Sequence, residues 1–180
     1  PNDVDGHGTH CAGVIGAVAD NGVGVAGVAS RHVQVRIMAL RFIGANGGAR
    51  SDAIRALEYA VAMGAKISSN SWGGGQRNSP SLEFAIESAA AAGHLFVAAA
   101  GNEAEDMDAS PTTQCGPSQN LTVCVASTTS SDFLSHFSNY GARSVHVAAP
   151  GSDILSTYRA GGYSSISGTS MACPHVAGAI

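Results

Sequence analysis

The stretch from His94 to Ala100 restricts this chain more than any other. After His94 it holds only apolar residues, so it has no face to give to water. Such a run reads as a strand covered on both sides, the condition of an internal strand in a parallel sheet. Its surroundings repeat the theme. Ser79-Pro80 opens a helix, with proline at the first helical position and Glu83 in the first turn, and Gly93 ends it. Earlier, Ser51 is expected to cap a helix that is apolar at Ile54, Leu57, Tyr59, Val61 and Met63 and stops at Gly64. Strands are expected over residues 32–43, 66–71, 121–126 and 144–149. Strand and helix alternate, which implies an α/β chain: three layers, a mostly parallel central sheet, and helices on both faces. Ligands of such sheets sit beyond the carboxyl ends of the strands. The loops after Ser71 and Ala100 are therefore the first places to seek chemistry.

Composition narrows the function classes. Charged residues make up 12% of the chain and the net charge is −4. A nucleic-acid binder would carry a basic footprint, which is missing here. No apolar run approaches the ~18 residues of a membrane span; the longest, residues 89–100, is broken by Gly93 and His94. The 4 cysteines fall at positions 11, 115, 124 and 173, and none forms a Cys-x-x-Cys pair. That argues against structural zinc. Cys115 and Cys124 flank a turn-rich stretch and read either as a short disulfide or as two buried thiols. Asn120-Leu121-Thr122 fits the glycosylation acceptor pattern. Together with the cysteines it hints at an oxidising, extracellular setting.

Three constellations carry chemistry. Gly6-His7-Gly8-Thr9-His10-Cys11-Ala12-Gly13 places an imidazole between two glycines at a helix start, where it can face a cleft. His7 and His10 also permit a metal pair, but no His-Glu-x-x-His pattern is present. Ala98-Ala99-Ala100-Gly101-Asn102 runs a buried strand into a side-chain amide, although Gly-Asn is also ordinary turn chemistry. Ser167-Gly168-Thr169-Ser170-Met171-Ala172 sets hydroxyls at the start of an apolar helix. A serine there reads as an N-cap, or as a nucleophile beside N–H groups that favour an oxyanion. Ala172 stands where a Gly-x-Ser-x-Gly elbow needs glycine, against an α/β-hydrolase.

These blocks, in this order, resemble the subtilisin-like serine proteases, the subtilases. Gly6–Gly13 matches that family's His motif and Gly168–Gly178 its Ser motif. Ala98–Asn102 matches its oxyanion strand and Ser71-Trp72-Gly73-Gly74 its substrate-pocket strand. The resemblance implies a serine endopeptidase that works through an acyl-enzyme. Ser170 would be the nucleophile, His7 the base and then acid, and Asn102 an oxyanion donor. Ser71, Trp72, Gly73 and Gly101 would bind the substrate backbone as an added strand. His10 and His175 would serve packing, and Met171 would be sensitive to oxidation. No acidic residue occurs in 69–74 or 98–101, so a preference for uncharged, apolar side chains is expected. Asp20-Asn21-Gly22-Val23-Gly24-Val25-Ala26-Gly27 resembles the family's calcium loop, which implies a structural Ca²⁺ held by several carbonyls with Asn21 as the side-chain ligand. The chemistry itself calls for no cofactor. A monomer acting on polypeptides outside the cell, without nucleic acid or membrane span, is expected.

In the family order an Asp precedes the His by some tens of residues, and only six residues precede His7. Asp3 and Asp5 lie on the His loop itself and are poor substitutes. The expectation is thus a partial peptidase domain over residues 1–180, lacking the strand that bears the Asp and the C-terminal end, and inactive by itself. The competing reading is an inactive subtilase homologue that binds peptides.

Overall fold

The computed structural model describes residues 2–30, 35–73, 78–116 and 120–180. Four strands form a parallel sheet in the order β1 (Ile67–Asn70), β2 (Leu95–Ala99), β3 (Thr122–Thr128) and β4 (Val147–Pro150). The register runs Val97↔Val123 and Val125↔Val147. The described residues include four helices: α1 (His7–Gly16), α2 (Arg50–Ala62), α3 (Pro80–Ala91) and α4 (Thr169–Ala179). Strand side chains alternate between faces, and β2 shows how that builds the layers. Phe96 and Ala98 pack with Leu57 of α2 and with Leu82, Ile86 and Ala89 of α3. Val97 and Ala99 pack on the opposite face with Ala172, Cys173 and Val176 of α4. α1 lies beside α4.

Local signals explain most boundaries. Ser79 Oγ accepts Leu82 N–H at 3.4 Å, with Pro80 as the first helical residue. The expected cap at Ser51 is corrected: α2 starts at Arg50, its N-cap is Ala49, and no side chain caps it. The expected strand over 32–43 is corrected as well. Residues 32–34 lie outside the described residues, and residues 35–43 form no ladder. Their alternation is used otherwise, since the Val35 and Ile37 side chains pack over Gly16 of α1. A period-2 pattern earns a strand only where a neighbour supplies backbone partners. The strand expected from Ser144 begins three residues later, at Val147, because Ser144 N–H is taken by Asp108 Oδ1 at 2.8 Å.

An antiparallel hairpin, β5 (Ile154–Thr157) and β6 (Tyr163–Ile166), was not expected. It leads directly into Gly168–Ser170 and is fastened to α1. His10 is buried, and its Nε2–H reaches the carbonyls of Ile154 (2.9 Å) and Ser164 (3.1 Å). Ser156 Oγ donates to His10 O at 2.9 Å, and Thr157 Oγ1 to Thr9 O at 3.0 Å. Cys115 and Cys124 are joined by a disulfide, which settles the open alternative. None of the helices is long and apolar enough to cross a membrane, among the described residues.

Candidate active site

His7 is the first residue of α1. The turn before it is held by Asp3, whose Oδ1 accepts Gly6 N–H (2.9 Å) and Asp5 N–H (3.1 Å). Its Oδ2 accepts Thr9 N–H (2.8 Å) and Thr9 Oγ1–H (2.7 Å). These bonds, led by that from Gly6, hold the Asp3 carboxyl far below the usual carboxylate range. Asp5 Oδ1 accepts the His7 backbone N–H at 3.1 Å. Both carboxylates are thus spent on donors of the turn and of Thr9 rather than on the His7 ring. Burial lowers the His7 pKa, only partly opposed by Asp5 and Asp3. The ring is therefore neutral near pH 7 and free to accept a proton.

Cys11, one turn along α1, sits between the two helices. Its Sγ is 3.9 Å from His7 Nδ1 and donates to Ser170 O at 3.4 Å. Burial pushes this thiol up to about 12, so it stays protonated and is no competing nucleophile. Ser170 is the second residue of α4. Its hydroxyl points to Ser71 O at 3.4 Å, while Ser71 Oγ donates to Ser170 O at 2.8 Å. No hydrogen bond joins Ser170 to His7 among the described residues. Such contacts are often loose without substrate, and a turn about the Ser170 Cα–Cβ bond frees the hydroxyl from Ser71.

Asn102 follows β2 across Gly101, whose φ of 108° favours glycine. Asn102 Oδ1 accepts both Thr169 N–H (2.8 Å) and Thr169 Oγ1–H (3.0 Å). Two donors on that atom fix it as the oxygen and leave Nδ2–H₂ as the free end of the amide. Thr169 Oγ1 in turn accepts Gly101 N–H at 3.1 Å. Thr169 thus bolts the amide loop to the serine turn.

The expected substrate strand lies alongside. Trp72 stacks edge-on to Phe42 at 5.3 Å, and its Nε1–H reaches Asn70 Oδ1 at 3.2 Å. Among the described residues nothing lies within 4 Å of a Cβ on Gly73; Gly74 lies outside them. His175 Nδ1–H donates to Met171 O at 2.8 Å, inside α4. Asn21 stands apart from this group. Its Oδ1 accepts Val23 N–H at 2.9 Å in an exposed turn. Calcium takes 6–8 oxygens, of which this side chain offers one, already in use. No three His, Cys, Asp or Glu residues gather as a metal cage, among the described residues.

The subtilase family profile matches residues 1–180. The chain belongs to the subtilase family. It is 43% identical to thermitase of Thermoactinomyces vulgaris over 179 residues, covering 99% of this chain and 61% of thermitase. It is 38% identical to an extracellular protease of Xanthomonas campestris pv. campestris, covering 97% of this chain and 32% of that protein. A solved cold-adapted subtilisin-like serine proteinase superposes with a TM-score of 0.81 at 41% identity, covering 98% of this chain and 60% of that one. The subtilase chain thus spans about three fifths, or less, of the length of these relatives. The fold expected from the alternating pattern, a parallel sheet between helical layers, is the fold it shares with them.

Proposed function

We propose that the protein carrying this chain is a serine endopeptidase that cleaves polypeptides through an acyl-enzyme on Ser170. The observation that carries the reading is the seating of Asn102. Its oxygen is captured by Thr169, so its amide N–H₂ is presented at the turn that bears Ser170. A side-chain donor fixed beside a serine at a helix N-terminus suits an oxyanion that develops when that serine attacks a carbonyl. Ser170 Oγ adds to the scissile carbonyl and His7 takes its proton. Asn102 Nδ2–H and the Ser170 backbone N–H meet the negative oxygen. His7 then returns the proton to the leaving amine, and water repeats the cycle to release the acyl group. Near pH 7 the neutral His7 is ready for the first step. The family resemblance implies a carboxylate on His7 Nδ1 as the third partner, a place that Asp3 and Asp5 do not fill.

Substrate lies as an added strand along Ser71, Trp72 and Gly73; the space beside Gly101, expected to serve substrate, is taken up by Asn139 and Glu103. We expect uncharged, apolar side chains on that added strand; cleavage mainly after lysine or arginine would contradict it. Action outside the cell is supported by the disulfide and by relatives named as extracellular proteases. A calcium ion at Asn21 would need oxygens beyond that residue, and a Tm that rises with added calcium would support it. The test of the main proposal is a fluorophosphonate probe applied to the full-length protein. Wild-type protein should be labelled once, at Ser170, and Ser170→Ala should be neither labelled nor proteolytic. Labelling elsewhere, or none at all, would overturn the proposal.

A further inference from the structure

Asn102 is aimed by Thr169, but the loop that carries it is held by a residue from another part of the chain. Asn139 is buried, at 2% exposure, and its side chain turns wholly toward this loop. Nδ2 donates to Ala100 O at 3.0 Å and to Glu103 Oε2 at 2.8 Å, and it lies 3.4 Å from Met107 Sδ. Oδ1 accepts Glu103 N–H at 3.0 Å and Glu105 N–H at 2.9 Å. The Asn139 backbone N–H also donates to Gly101 O at 3.0 Å. Residues on both sides of Asn102 thus hang on one amide. A Cβ on Gly101 would run into Asn139 Nδ2, so the approach depends on that glycine.

The rest of the segment repeats the contact. Ala104 N–H donates to Phe137 O (2.9 Å), Tyr140 N–H to Glu105 O (3.0 Å) and Met107 N–H to Tyr140 O (2.7 Å). Ala104 itself sits at φ 55°, a conformation that an alanine holds only when its surroundings impose it. A buried amide with both ends satisfied is rigid, because any shift leaves a polar group unpaired in a medium that cannot replace water.

We propose that Asn139 is the positioning residue of the oxyanion site: by bonding Ala100, Glu103 and Glu105 it sets the course of the loop and so the aim of the Asn102 amide. The inference rests on the peptidase reading above. It assigns no contact between Asn139 and substrate; the effect travels through Asn102.

A double-mutant cycle in the full-length protein tests it, with kcat and KM measured on a peptide anilide. Asn139→Ala should lower kcat by about tenfold to a hundredfold, the cost of a misplaced catalytic group, with KM changed less than about threefold. In an Asn102→Ala background the same substitution should change kcat by less than about threefold, because the group being aimed is already gone. Equal factors in both backgrounds, or no loss in the first, would overturn the proposal. Failure of the peptidase reading looks different: wild-type Ser170 would resist the fluorophosphonate and Asn102→Ala would change nothing. Should Asn139→Ala not accumulate as folded protein, Asn139→Asp is the substitute. It keeps the acceptors for Glu103 N–H and Glu105 N–H and sets a second carboxylate against that of Glu103. Its kcat should rise at least about threefold when Glu103→Gln is added. No rescue would count against the proposal as firmly as equal factors.

Discussion

Asp3 makes four hydrogen bonds to the turn and first residues of α1 and so sets where His7 stands. Asp3→Ala should cost about 1 kcal/mol, as other helix-start anchors do. For a chain of this size that is a fall in Tm of about 2–4 °C, read by thermal unfolding. The Asp3 pKa is depressed by folding, so its contribution is whole above the unfolded carboxylate range and drains away as pH falls below it. The His7 pKa is lowered too, with the opposite consequence for charge: the folded protein resists taking up that proton. The unfolded chain binds it first, so the His7 contribution is full above the ordinary imidazole pKa of about 6.5 and is lost as pH falls beneath it. In this chain the His7 ring is expected to titrate below the ordinary imidazole value, read from its ring-proton NMR signals against pH; a midpoint above that value would show that burial does not govern this ring. The residues of the His, Asn and Ser blocks could be read in the sequence, because glycines and small residues crowd around them in short, recognisable orders. Asn139 could not. Its importance lies in bonds to residues far away in the chain, and one asparagine in a loop carries no local mark of that.

At the scale of elements, the pattern succeeded where burial decided the outcome. β2 lies where a run without a polar face required it, and α3 starts at its serine cap and proline. It failed where pairing decided. Residues 35–43 have the alternation of a strand and no ladder partner among the described residues, whereas Ile154–Thr157 and Tyr163–Ile166 find each other across a turn that Gly161-Gly162 marks in the sequence. An element-level constraint that bears on the site is Gly151, just after β4. Gly168 N–H donates to its carbonyl at 2.8 Å. A Cβ there would meet Ser127 Oγ and come within 2.7 Å of Gly168 O, in the turn that presents Ser170. Gly151→Ala should destabilise by about 1–3 kcal/mol, the usual cost of overpacking. It should also reduce kcat by more than that loss of folded protein explains. Urea titration alongside kinetics on the folded fraction separates the two.

For the whole molecule, the disulfide closes a loop with a sequence separation of 9 between β3 and the turn before it. By chain entropy such a bridge is worth about 2–3 kcal/mol. A Cys115→Ser, Cys124→Ser double variant should therefore melt lower than wild type, and reducing agent should bring wild type to the same Tm. The four bonds between α1 and the hairpin act on the same scale. His7 and Ser170, far apart in the sequence, ride on one chassis: the imidazole on α1, the hydroxyl at the start of α4, just after the hairpin that α1 grips. Warming has no way to drift them apart by degrees. Turnover should climb smoothly with temperature and then vanish together with the native state, with no intermediate span in which a folded but misaligned site survives.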